Sequence, residues 1–161
     1  MKTAFLFVIL ANPGWADCAA NGTPLVACEI ENSTKWLETC LVGDIVTYTF
    51  GPKGIPELSM SRHVGDVDFV PWPGIGRWIW EEFRLTNGAY SYAVHYSFER
   101  NPNNMEVGGG VTVWQGGTVL ASLDCNPATL NFSGFPSPVY DAKIDAGQAW
   151  DFDAKRWVQS E

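Results

Sequence analysis

Positive charge, histidine and long apolar runs are all scarce in this 161-residue chain. Ten Lys and Arg stand against eighteen Asp and Glu, for a formal net charge of −8. No basic cluster offsets that excess, so nucleic-acid phosphates would be repelled and no nucleic acid is expected as a partner. Two histidines are the whole supply, and no His-x-x-x-His ligand pattern, nucleophile elbow, phosphate-cradling loop or Cys-x-x-Cys pair occurs. These absences speak against an enzyme, a metal centre and a cofactor. No stretch reaches the roughly 20 apolar residues of a membrane-spanning helix, so no membrane anchor is expected.

What is present begins at the N-terminus. Met1-Lys2 is a short positive start, Thr3–Leu10 is apolar, and Gly14-Trp15-Ala16 places small residues where a signal peptidase reads them. Residues 1–16 are therefore predicted to be a signal peptide cleaved after Ala16, and the product periplasmic or secreted. Asp17 ahead of Cys18 does not suit lipoprotein processing. Cleavage removes Lys2 and makes the exported chain more acidic still.

Four cysteines, Cys18, Cys28, Cys40 and Cys125, lie in the exported part. An even number in an oxidising compartment points to two disulfides. Strand parity puts Cys28 with Val26 and Ile30, and Cys125 with Leu123 and Val119, both pointing inward. Cys40 is out of phase with Leu37, Thr39 and Leu41 and is expected to point outward, within reach of Cys18. Parity thus favours Cys28–Cys125 with Cys18–Cys40, and leaves Cys28–Cys40 across a hairpin as the rival.

Alternation of period two dominates the chain. Ile79, Phe83 and Leu85 mark one strand, Asn87-Gly88 is a strong type I′ hairpin signal, and Tyr90, Tyr92, Val94, Tyr96 and Phe98 return on one face. A second hairpin carries Val111 and Val113 into Gln115-Gly116-Gly117-Thr118 and returns through Val119, Ala121 and Leu123. Val46, Tyr48 and Phe50 alternate upstream. Shorter strands are predicted at Pro24–Ile30, Lys35–Val42, Glu57–Arg62, Val64–Val70 and Ala128–Phe132. The predicted fold is all-β, a small antiparallel β-barrel or barrel-like sandwich of eight to ten short strands over residues 17–133. Gly134–Pro138 reads as a linker. Residues 134–161 form a C-terminal tail packed on the barrel, holding a short helix or an extended strap and pinned by Trp150, Phe152 and Trp157.

Few residues suggest chemistry. His63 falls in a predicted turn and His95 on the outer hairpin face, both read as structural. Asp66 and Asp68 share a strand face and read as solvated. Glu82 shares a face with Trp78 and Trp80, with Arg84 two residues on, which suggests an ion pair over an aromatic surface. The most unusual segment is Phe69–Trp80 (FVPWPGIGRWIW), whose prolines and glycines force an irregular loop. Trp72 and Trp78 there suit sugar stacking or protein recognition, whereas Trp80 is expected to plug the core. Arg100–Gly110 is a polar loop that connects or binds.

The order of Cys28, Val46-Thr47-Tyr48-Thr49-Phe50, Leu58-Ser59-Met60, the Asn87-Gly88-Ala89 turn, an aromatic return strand, a Gly-rich turn and Cys125 resembles the bacterial periplasmic and membrane-bound C-type lysozyme inhibitors. The resemblance covers about residues 26–126. It implies a small antiparallel barrel whose first and last strands are tied by a disulfide, matching Cys28–Cys125. It also implies inhibition of a basic glycosidase. Asn87 stands where the family has a serine, with Gly88 and Tyr90 following, and Arg100 is the one basic residue placed to serve as the family's lysine.

The expectation is a monomeric binding protein with a basic protein such as lysozyme as partner. The binding residues would be Asn87, Gly88, Tyr90 and Arg100, with Trp72 and Trp78. The alternatives are a small-molecule or glycan-binding barrel using the aromatic loop, and a structural envelope protein.

Overall fold

The computed structural model describes Cys18 and residues 21–160; the predicted signal peptide lies outside the described residues. The chain is all-β with antiparallel sheets, as the alternation implies. Strands β1 (Thr23–Glu29), β2 (Lys35–Val42), β3 (Ile45–Pro52) and β4 (Leu58–His63) form one sheet in sequence order, and β10 (Asn131–Phe132) pairs with the free side of β1. The second sheet is β5 (Asp68–Val70), β6 (Trp78–Asn87), β7 (Tyr90–Glu99), β8 (Val107–Gln115) and β9 (Thr118–Asp124), again in order. Helix α1 (Pro138–Asp145) and a hairpin of β11 (Gln148–Asp151) and β12 (Arg156–Gln159) complete the chain.

Between the sheets lies one apolar core. Val46, Phe69, Phe83, Leu85 and Val94 are fully buried, and Tyr48 meets Tyr92 with ring centroids 5.4 Å apart. Burying one such side chain stabilises by about 1.5–3 kcal/mol, which is why the period-two pattern specifies which face of each strand turns inward. Strand β1 carries a bulge at Leu25, so that both Leu25 and Val26 are buried. The Thr39 hydroxyl repairs the ladder there, accepting from Val26 N–H at 2.9 Å and donating to Val26 C=O at 2.8 Å.

A bridge between Ile30 and Cys125 joins the sheets, flanked by Glu31 N–H to Asp124 C=O at 2.9 Å and Asn126 N–H to Glu29 C=O at 2.8 Å. Among the described residues no ladder links β4 to β5. Both favoured disulfides are present: Cys28–Cys125, with Cα atoms 5.5 Å apart, and Cys18–Cys40, at 5.7 Å. Cys40 lies out of phase with the buried Leu37 and Thr39 and is met there by Cys18, as expected. It is 1% exposed, because the bonded Cys18 lies over it.

Three local expectations are corrected. Val64–Asp66 is a 3₁₀ turn rather than the start of a strand, since His63 Nδ1 accepts from Gly65 N–H at 3.0 Å and caps it. The β6–β7 loop is Gly88-Ala89, with Asn87 paired to Tyr90. Gly88 alone takes a positive φ there, +61°, as a type II′ turn requires of its first central residue. The linker also ends early: Ser137 caps α1, accepting from Val139 N–H at 3.3 Å, with Pro138 at the first helical position.

Candidate functional site

The proline- and glycine-rich loop between β5 and β6 is held in place by the loop that follows β7. The Arg100 guanidinium lies 5.3 Å from the Trp72 ring centroid and donates to Gly76 C=O at 3.2 Å, while Arg100 N–H donates to Arg77 C=O at 3.1 Å. Arg77 grips Glu99 with two bonds, 2.7 and 2.9 Å long, and the Asn104 amide donates to the same carboxylate. The Arg77 guanidinium holds the Glu99 carboxyl below its ordinary range. Trp72 is half-buried, edge-on to Phe135 at 5.8 Å, with its indole N–H donating to Ile75 C=O at 3.0 Å. Trp78 is half-buried with Arg77 over its ring at 6.0 Å.

The predicted binding residues therefore fall into two groups. Trp72, Trp78 and Arg100 gather at one end of the β6–β7 hairpin. Asn87, Gly88 and Tyr90 are exposed at the other, a ten-residue strand away, or about 30 Å at roughly 3.3 Å per residue.

A cleft of about 360 Å³ lies beside the aromatic loop. Val70, Pro71, Pro73 and Trp80 line it from the end of β5, the loop and β6, and Trp150, Phe152 and Lys155 line it from the β11–β12 hairpin. Trp80 is not a core plug: it stands on the outer face of β6, 36% exposed. Phe152 is not a pin, being 67% exposed. The pin is Trp157, whose indole N–H donates to Phe69 C=O at 2.7 Å and whose ring meets Phe69, Tyr140 and Trp150 at 6.1, 5.4 and 5.7 Å. Trp150 and Trp157 are register partners in the hairpin, so docking one orients the other towards the cleft. Parity within β6 placed Trp80 opposite Phe83 and Leu85, and this was the signal for its exposure.

Two buried polar groups tie the C-terminal segment to the sheets. Glu81 shares the inward face of β6 with Phe83 and Leu85 and is 1% exposed; Tyr96 O–H and Ser137 N–H both donate to it. Burial pushes its carboxyl up, against the pull of those bonds. Lys143 of α1, also 1% exposed, donates to Val64 C=O at 3.0 Å and Val67 C=O at 2.6 Å. Burial lowers its ammonium to about 8, with Asp68 and Asp66 opposing. Asp66 and Asp68 thus do not share one strand face: the first lies in the 3₁₀ turn and the second opens β5.

His63 uses Nδ1 for its cap and holds Nε2 3.2 Å from Asp44. It lines a separate hollow of about 460 Å³ with Gly43, Asp44 and Asp145. His95 is half-buried, and burial lowers its imidazole despite Glu82 and Asp124 nearby. The expected Glu82–Arg84 ion pair forms at 3.2 Å, with Arg84 5.7 Å from the Trp114 ring.

The chain matches no protein-family model, no curated protein and no solved structure.

Proposed function

We propose that this is an exported binding protein that takes a small ligand with a flat apolar face into the cleft between Trp80 and the β11–β12 hairpin, without transforming it. The observation that carries this reading is the pairing of Trp80 and Trp150 with an exposed Phe152 around one cavity of about 360 Å³. Ligand sites are concave and lined mainly by apolar and aromatic groups with a few polar ones, and rigid aromatic rings offer stacking area at little conformational cost. Sugar hydroxyls would need hydrogen-bond partners on burial. The lining side chains offer only indole N–H groups and one ammonium, so an apolar body suits the cleft better than a glycan does. Two disulfides fit an oxidising, extracytoplasmic setting.

The test is a tryptophan-fluorescence titration with planar apolar compounds and, in parallel, soluble cell-wall fragments. Saturable quenching by the former, lost in Trp80→Ala, is expected. Quenching by the glycans alone would refute the apolar reading.

A second reading, inhibition of a basic glycosidase, draws on a different observation. The β6–β7 tip is fully displayed, with Tyr90 40% exposed, on a protein of net charge −8 that would attract a basic partner at low salt. Arg100 stands about 30 Å from that tip and would not share its contact. Titration against C-type lysozyme at low ionic strength tests it; undiminished hydrolysis at saturating protein refutes it.

A further inference from the structure

The four residues Phe152–Lys155 connect β11 to β12, whose ends pair as Asp151 with Arg156. The Asp151 carboxylate organises this turn by accepting from the N–H groups of Asp153 and Ala154, both at 2.9 Å. Lys155 closes it with a φ of +52°. Among the described residues only Asn32 and Lys155 combine a side chain with a positive φ. Asparagine adopts that region readily, and glycine would be the relaxed choice for a turn. Lysine is not, and strain of this kind concentrates where a side chain is needed for function. Lys155 is also the one charged residue among those that line the aromatic cleft. Asp151 is engaged by the turn's own N–H groups, and Asp153 lies two residues before Lys155 in the same turn.

We propose that Lys155 determines specificity, and that the ligand is an amphipathic anion: a flat apolar body against Trp80 and Trp150 bearing a carboxylate or sulfonate that meets the ammonium. This rests on the cleft being the binding site. Apolar walls keep water from the ion pair and strengthen it relative to an exposed one. The protein as a whole is acidic, with a formal charge of −8, so its net field would repel such a ligand. A preference for anions therefore needs a local cation, and Lys155 is the one the cleft holds.

The experiment uses two probes with one ring skeleton: 8-anilinonaphthalene-1-sulfonate, and N-phenyl-1-naphthylamine, which lacks the sulfonate. Each is titrated calorimetrically into the exported protein and into Lys155→Met, Lys155→Arg, Lys155→Gly and Trp80→Ala. The native protein is expected to bind the sulfonate about tenfold more tightly, as a single well-placed ion pair allows. Lys155→Met should erase the preference, and Lys155→Arg should keep it. Lys155→Gly should erase it too while raising the thermal midpoint, which separates recognition from folding. Equal affinity of the native protein for both probes, or a preference that survives Lys155→Met, would overturn the role of Lys155 and leave the cleft standing. Failure of both probes to bind, or binding indifferent to Trp80→Ala, would overturn the cleft as well.

Discussion

Tyr96 and Glu81 are register partners across the β6–β7 ladder, and inside the protein the phenol donates to the Glu81 carboxylate. The same oxygen receives Ser137 N–H at 2.8 Å, and the phenol oxygen lies 2.9 Å from Gly134 C=O. A cross-strand pair in the core thereby anchors the segment that leads into α1. The carboxyl is an expensive anchor, because burial disfavours its charged form.

That cost sets a pH dependence. Burial raises the Glu81 carboxyl above its ordinary 4.5, so the folded protein holds this proton more tightly than the unfolded chain does. The resulting stabilisation is fully present below the unfolded value and is lost as pH rises through the folded one. Glu81→Gln keeps an acceptor for Ser137 and removes the titration. Urea midpoints of the two proteins should lie close together near pH 4 and separate in favour of the variant as pH rises. A native protein that gains on the variant over that range would contradict the assignment.

Lys143 predicts the mirror image. Its ammonium is lowered to about 8 from 10.5 by burial, so between those values the unfolded chain binds more protons and stability rises with pH. Lys143→Met should lack this rise. The difference between the two denaturation profiles isolates Lys143. Parallel profiles above pH 8 would count against a buried ammonium.

Trp157 and Phe152 should separate stability from binding. Trp157→Ala removes the ring that meets Phe69 and Tyr140 and should cost about 3 kcal/mol, with loss of probe binding as the hairpin undocks. Phe152→Ala, at a side chain 67% exposed, should change stability by less than about 0.5 kcal/mol and still weaken the probe. Chemical denaturation and calorimetry on the same samples decide it.

The two disulfides close loops of different length, and removing each should cost accordingly. Cys28–Cys125 spans 97 residues and Cys18–Cys40 spans 22. On loop-closure entropy the double alanine variants should lose about 4.7 and about 3.4 kcal/mol respectively. Equal losses, measured by denaturant unfolding, would mean that the 97-residue loop is already closed in the unfolded ensemble.

Much of the fold was legible because a strand exposes its facing in its own sequence. Parity alone put Phe83, Leu85, Val94 and Tyr96 inside and paired Cys28 with Cys125. The β6–β7 turn was misplaced by one residue, since Asn87 and Gly88 both tolerate a positive φ and only the ladder register decides which of them takes it. Glu81 lies on the inward face with Phe83 and Leu85, yet nothing local names Ser137, 56 residues on, as its partner. The cleft was hidden for the same reason: Trp80 and Trp150 lie 70 positions apart in the sequence.

What the amino-acid order determined by itself is the antiparallel all-β class, the inward face of most strands and the favoured cysteine pairs, because each follows from a period of two along a short stretch. Only the tertiary structure decided which surface Trp157 would dock on, that Trp80 would face a cleft, and that Asn87 and Arg100 would stand at opposite ends of one hairpin. Those relations depend on where separate elements come to rest against each other, and local periodicity carries no information about that distance.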